Sequence, residues 1–100
     1  MEFKEIIDKM KERGIETALV KYDGGLVYST FAMEDPAHYV AQYLASNAQL
    51  LMSQFNDRVK EIKIEFKEKS LIFILLEDYL LVSQIKNDED KKILYDYINL

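Results

Sequence analysis

The chain predicts an α+β domain with element order α-β-β-α-β-β-β-α and antiparallel strands. Three observations carry that reading. Apolar residues recur with helical spacing in three places: near the N-terminus, after Asp35-Pro36, and near the C-terminus. An Asp23-Gly24 pair lies between two β-favouring runs, where a tight hairpin turn needs positive φ. The links within each group of strands are too short for parallel crossovers.

The elements follow in order. Phe3, Ile6, Ile7 and Met10 share one helical face over residues 2–13, and Gly14 is a natural stop with Ile15 as the hydrophobic contact beyond it. Residues 16–22 and 26–31 are the two strands of the hairpin. Asp35 is a helix N-cap and Pro36 fits the first helical position. The second helix then runs to Arg58 without Gly or Pro.

Residues 60–67, Lys-Glu-Ile-Lys-Ile-Glu-Phe-Lys, alternate strictly between polar and apolar, the period of a strand with one wet face. Residues 71–76 are apolar on both faces and predict a central strand. Glu77-Asp78 turns the chain, and residues 79–85 return. Asn87 or Asp88 caps a last helix whose apolar face is Ile93, Leu94, Tyr97 and Ile98.

One hundred residues make a single domain, 1–100, just large enough for one core. A net charge of −5 without Lys/Arg clusters excludes the basic footprint that nucleic acid or an anionic membrane surface needs. There are no cysteines, so disulfides, thiolate metal sites and a Cys nucleophile are absent. The N-terminus has no apolar signal core, and the apolar run at 71–76 is too short for a bilayer. The expectation is a cytoplasmic protein without membrane insertion.

Catalytic chemistry finds little footing. His38 is the only histidine, in the first turn of the second helix, where the dipole disfavours its charged form. Asp88-Glu89-Asp90 lacks the spacing and glycine of a calcium loop and fits a helix cap better. No phosphate-loop pattern and no nucleophile elbow is present. The expectation is a non-enzyme without a cofactor.

The second helix carries more apolar surface than one contact needs. Ala37, Ala41, Leu44, Ala48, Leu51 and Phe55 repeat at spacings of four and three, a stripe suited to covering a sheet. One step round lie Val40, Tyr43, Asn47 and Leu50, and the other flank holds Ala45 and Met52. The second stripe is expected to meet a second copy of the chain.

The alternating strand points the same way. Paired antiparallel with its own copy and centred on Ile64, it sets Glu61 against Lys67, Lys63 against Glu65, and Ile62 against Phe66. Shifting the centre to Lys63 or Glu65 sets like charges face to face. Exposed cross-strand pairs contribute only about 0.2–1 kcal/mol each, so the charges choose register more than affinity. The expected partner is the chain itself, as a homodimer.

The layout resembles the Roadblock family of dynein light chains and their prokaryotic relatives. The residues that carry the resemblance are the first helix ending at Gly14, the Asp23-Gly24-Gly25-Leu26-Val27-Tyr28-Ser29 hairpin, the Ala-rich helix after Asp35-Pro36, and the meander from 60 to 85. It covers nearly the whole chain and includes no catalytic signature. The Gly often seen in the turn at 67–70 is missing here.

The resemblance implies a five-stranded antiparallel sheet, with the long helix on one face and the terminal helices on the other. It implies dimerisation through the third strand and the long helix. It implies a non-catalytic platform that binds and regulates a Ras-like small GTPase, with Tyr39, Gln42, Ser46 and Gln49 near the two-fold surface as partner-binding residues. A structural adaptor within a larger complex and a small-molecule sensor domain are the alternatives.

Overall fold

The computed structural model of the chain describes residues 3–23, 25–30, 35–55, 60–65 and 67–98, and for 35–42 the backbone only. The elements are α1 (Phe3–Glu12), β1 (Thr17–Lys21), β2 (Leu26–Ser29), α2 (Asp35–Ser53), β3 (Glu61–Glu65), β4 (Ser70–Leu75), β5 (Tyr79–Ile85) and α3 (Asp88–Ile98). The order is the predicted one.

Helix α1 stops where the sequence says it should. Gly14 has a φ of +83°. Its N–H donates to Lys11 O at 2.9 Å, and the Ile15 N–H donates to Met10 O at 2.9 Å. These two bonds are the Schellman pattern, and Met10 and Ile15 are both fully buried as its hydrophobic contact. At the other end of the chain, Asn87 is the cap of α3. Its Oδ1 accepts from the Asp90 N–H at 2.8 Å, and Asp90 Oδ2 accepts from the Lys86 N–H at 3.1 Å.

All five strands form one antiparallel sheet in the order β2-β1-β5-β4-β3. The register sets two faces. Leu19, Leu81 and Ile74 lie side by side across β1, β5 and β4, and pack with Ile6, Ile7 and Met10 of α1 and Leu94 of α3. On the opposite face Val20, Leu80, Val82 and Phe73 pack against Ala45 of α2. The long helix therefore covers one face and the terminal helices the other.

One polar pair is buried in the apolar interior beneath α1 and α3. Thr17 and Ser83 are fully buried, and their hydroxyls lie 2.9 Å apart across β1 and β5. At the far edge, the Tyr28 hydroxyl donates to Asp8 Oδ1 at 2.5 Å and ties β2 to α1. That bond, first, and partial burial raise the Tyr28 pKa above its ordinary value.

Helix α1 and strand β1 are each trimmed by one residue at either end, and three elements stop two or more residues early. Strand β2 ends at Ser29 rather than 31, α2 ends at Ser53 rather than 58, and β3 ends at Glu65 rather than 67. Lys67 instead lies exposed in the turn to β4, since Glu65 already pairs with Ser70.

Two substitutions test this architecture. Gly14→Ala meets no neighbouring atom within 4 Å, so its cost is the left-handed backbone alone. It is expected to lower stability by about 1–2 kcal/mol in urea unfolding, with Gly14→Asn closer to the native chain. An Ala variant as stable as the parent would show that the αL stop does not hold α1. Ser83→Ala strands the Thr17 hydroxyl and should cost about 1–3 kcal/mol, whereas adding Thr17→Val should recover part of that loss. Strictly additive losses in the double variant would rule out the coupling.

Candidate interaction surface

Among the described side chains of α2, those from Tyr43 onward, contact with the sheet centres on Ala45. Ala45, 1% exposed, is its buried centre, and Leu44 packs partly buried beside it. The absence of a long side chain at 45 is what lets the helix approach Val20 and Phe73. Gln49 and Ser53 follow Ala45 at spacings of four, so that line of the helix turns polar toward its C-terminus.

The stripe expected to cover the sheet is therefore corrected. Leu44 and Ala48 are partly buried, but Leu51 is 59% exposed and Phe55 70% exposed. The helix is rolled toward the flank of Ala45 and Met52. Its apolar arc is so wide that periodicity alone could not choose the contact line.

The roll enlarges the outward apolar surface. Tyr43 is 69% exposed and Leu50 67% exposed, and Leu51 and Phe55 join them. Asn47 is exposed between them, and its Nδ2 donates back to Tyr43 O at 2.8 Å. Tyr43, Leu50 and Leu51 on α2 and Phe55 just past its end are large apolar side chains left exposed, the kind of surface that marks a contact site. The side chains of Val40, Tyr39 and Gln42 lie outside the described residues, as does that of His38.

Beside this face runs an open edge. Strand β3 is the last strand of the sheet. The Leu75 N–H donates to Lys60 O at 3.0 Å, which places the main-chain groups of Lys60, Ile62 and Ile64 toward β4. The N–H and C=O groups of Glu61, Lys63 and Glu65 then point outward, as alternation along an antiparallel strand requires. Ile62 and Ile64 lie partly buried on the α2 side. Phe66 lies outside the described residues.

The other side of β3 carries the charges. Lys63 Nζ and Glu65 Oε1 are 3.2 Å apart, and Lys91 Nζ of α3 is 4.0 Å from Glu61 Oε2. Glu61 Oε1 is buried without a hydrogen-bond partner. A pair exposed to this degree contributes little to stability.

A cleft of about 1130 Å³ opens between α2 and the sheet. Ser46 and Gln49, two of the predicted partner-binding residues, form its helix wall with Ala45, Leu50 and Ser53. Leu75, Leu76 and Tyr22 face them, and Lys60 and Glu77 stand at the rim. The Tyr22 hydroxyl donates to Leu76 O at 2.6 Å, and burial raises its pKa, so it holds its proton at neutral pH. Sequence reasoning missed this cleft. Its signal was the line Ala45, Gln49, Ser53, where a sheet-facing stripe gives way to polar residues too small or too wet to close the gap.

Among the described residues no group of three or more His, Cys, Asp and Glu side chains could hold a metal ion, and no helix is long and apolar enough to cross a membrane. The arrangement offers recognition surfaces: an apolar arc, an open strand edge and a cleft.

The division of α2 has a direct check. Leu51→Asp is expected to keep the native circular dichroism spectrum, whereas Ala45→Asp buries an unpaired charge and should cost about 3 kcal/mol or more. Melting of both variants to the same extent would place Leu51 against the sheet after all.

No known family profile matches the chain, and no curated protein does. Solved structures do. MglB from Myxococcus xanthus superposes with a TM-score of 0.79 at 13% identity, over 97% of this chain and 91% of that one. A Roadblock/LC7 domain from Streptomyces avermitilis gives 0.75 at 13% identity, over 94% and 89%. Profilin II from Acanthamoeba castellanii gives 0.67 at 11% identity, over 91% and 89%. The chain has the fold of the Roadblock domains.

Proposed function

We infer that this protein is a non-catalytic, homodimeric platform that binds and regulates a Ras-like small GTPase in the cytoplasm. The observation that carries the reading is the exposed apolar arc of Tyr43, Leu50, Leu51 and Phe55 beside the open edge of β3. The likeness in fold to Roadblock domains and MglB supports it, because the family resemblance implies dimers that regulate such GTPases.

In the dimer, β3 pairs antiparallel with its copy around Ile64. The outward main-chain groups of Lys63 and Glu65 then exchange hydrogen bonds twice across the axis, and Lys63 faces Glu65 of the other copy. The pair of Glu61 with Lys67 reaches past the end of β3 into the turn, so the inner pairs set the register. Two α2 helices meet along Val40, Tyr43, Asn47 and Leu50. The GTPase docks near Tyr39, Gln42 and Ser46, with Gln49 set deeper in the cleft wall. Cofactors play no part.

Sedimentation equilibrium at micromolar concentration is expected to give a dimer of the 11.8 kDa chain. Lys63→Glu should weaken it on the order of tenfold, because two attractive pairs become repulsive, and adding Glu65→Lys should restore it. A clean monomer, or a double variant as weak as the single one, would remove the proposed pairing. Titration with Ras-like GTPases of the same organism should show different affinities for the GDP and GTP-analogue forms, since only differential binding can shift a switch. Equal binding of both forms would favour a structural adaptor.

A further inference from the structure

The cleft under α2 has the composition of a small-molecule site rather than of a packing flaw. Ala45, Leu50, Ile74, Leu75 and Leu76 give it an apolar part, and Tyr22, Ser46, Gln49 and Ser53 add polar groups beside it. Its rim carries one cation and one anion. Lys60 lies opposite Leu75 on the neighbouring strand, joined to it by the Leu75 N–H to Lys60 O bond. Glu77 lies two residues beyond Leu75, at the turn closed by the Leu76 N–H to Tyr79 O bond of 2.9 Å. Both residues line the same cleft. Both residues are exposed, and neither side chain forms an ion pair with another described residue.

The geometry points to a binding site for a small zwitterion with an apolar body, the chemistry of a free amino acid with an aromatic or branched side chain. Its carboxylate meets Lys60, its ammonium meets Glu77, and its apolar part enters the cleft toward Ala45 and Leu75. A singly charged ligand satisfies one rim group and leaves the other to water. The cleft exceeds the volume of one such molecule, so water fills the mouth and the affinity is modest. A dissociation constant near ~1 mM is expected, since each exposed ion pair adds no more than about fivefold.

The test uses the full chain, labelled with nitrogen-15, and three probes: L-phenylalanine, phenethylamine and 3-phenylpropionate. The expected result is saturable shifts confined to amides of the cleft, at Ser46, Gln49, Ser53, Lys60 and Leu75. L-phenylalanine should bind about two- to fivefold tighter than either analogue. Lys60→Met should remove its advantage over phenethylamine alone, and Glu77→Gln its advantage over 3-phenylpropionate alone. Both side chains are exposed, so both variants retain the fold. The inference is overturned by non-saturable shifts, by shifts spread over other surfaces, by equal binding of the three probes, or by variants that lose both advantages together. None of these outcomes depends on the dimer or on a GTPase, so the two proposals stand or fall separately.

Discussion

The pairing of β1 with β5 is the constraint on which the rest of the molecule depends. Residues 17–21 run antiparallel to 79–83, and this single ladder joins the N-terminal hairpin to the C-terminal meander. It puts β2 and β3 at opposite edges of the sheet. The chain must then travel from one edge to the other between them, and α2 is what makes the journey. Four strand spacings amount to about 19 Å, and a 19-residue helix is about 28 Å long. The contact at Ala45, the cleft toward Ser53 and the exposed arc on the far side all lie along this one crossing.

The same ladder explains what was legible in the sequence and what was not. Local chemistry was legible: Gly14 with Ile15, Asp23 with Gly25, and Asn87 with Asp90 each close their own hydrogen bonds within a few residues. Strand β4 was legible because Ile72 and Ile74 serve one core while Phe73 serves the other, so no polar residue interrupts it. The roll of α2 was not legible. Leu44, Leu51 and Phe55 match the helical period as well as Ala45 and Met52 do, and only the shape of the sheet beneath decides between them. The end of β3 was also hidden, because Phe66 and Lys67 continue the alternation while the turn to Ser70 takes Lys67 out of the ladder. For the candidate surface, Tyr43, Asn47 and Leu50 stand exposed, and the cleft needed residues from separate elements, of which the line Ala45, Gln49, Ser53 marks only the helix wall.

The two sheet edges are managed differently, and that difference bears on function. Strand β2 is short and irregular, with its register to β1 shifted between Leu19 and Val20. A bulge of that kind twists an edge away from further pairing. Strand β3 keeps an unbroken register along all five residues. Its protection is charge, and the charges alternate in sign along one side: Glu61, Lys63, Glu65. Uniform lysines would repel any approaching strand, including a copy. Alternating signs repel most registers and accept a complementary one, which is selectivity rather than closure.

Leu50 belongs to both of the surfaces that α2 creates. It lines the cleft on one side and is 67% exposed toward the outward arc on the other. Anything that fills the cleft therefore touches a residue that also faces outward. In a core locked by large interdigitating residues, a neighbour in the cleft would change little outside it. Where occupancy of the cleft changes the position of Leu50, linkage requires reciprocity: a partner on the outward arc then changes affinity at the cleft by the same free energy.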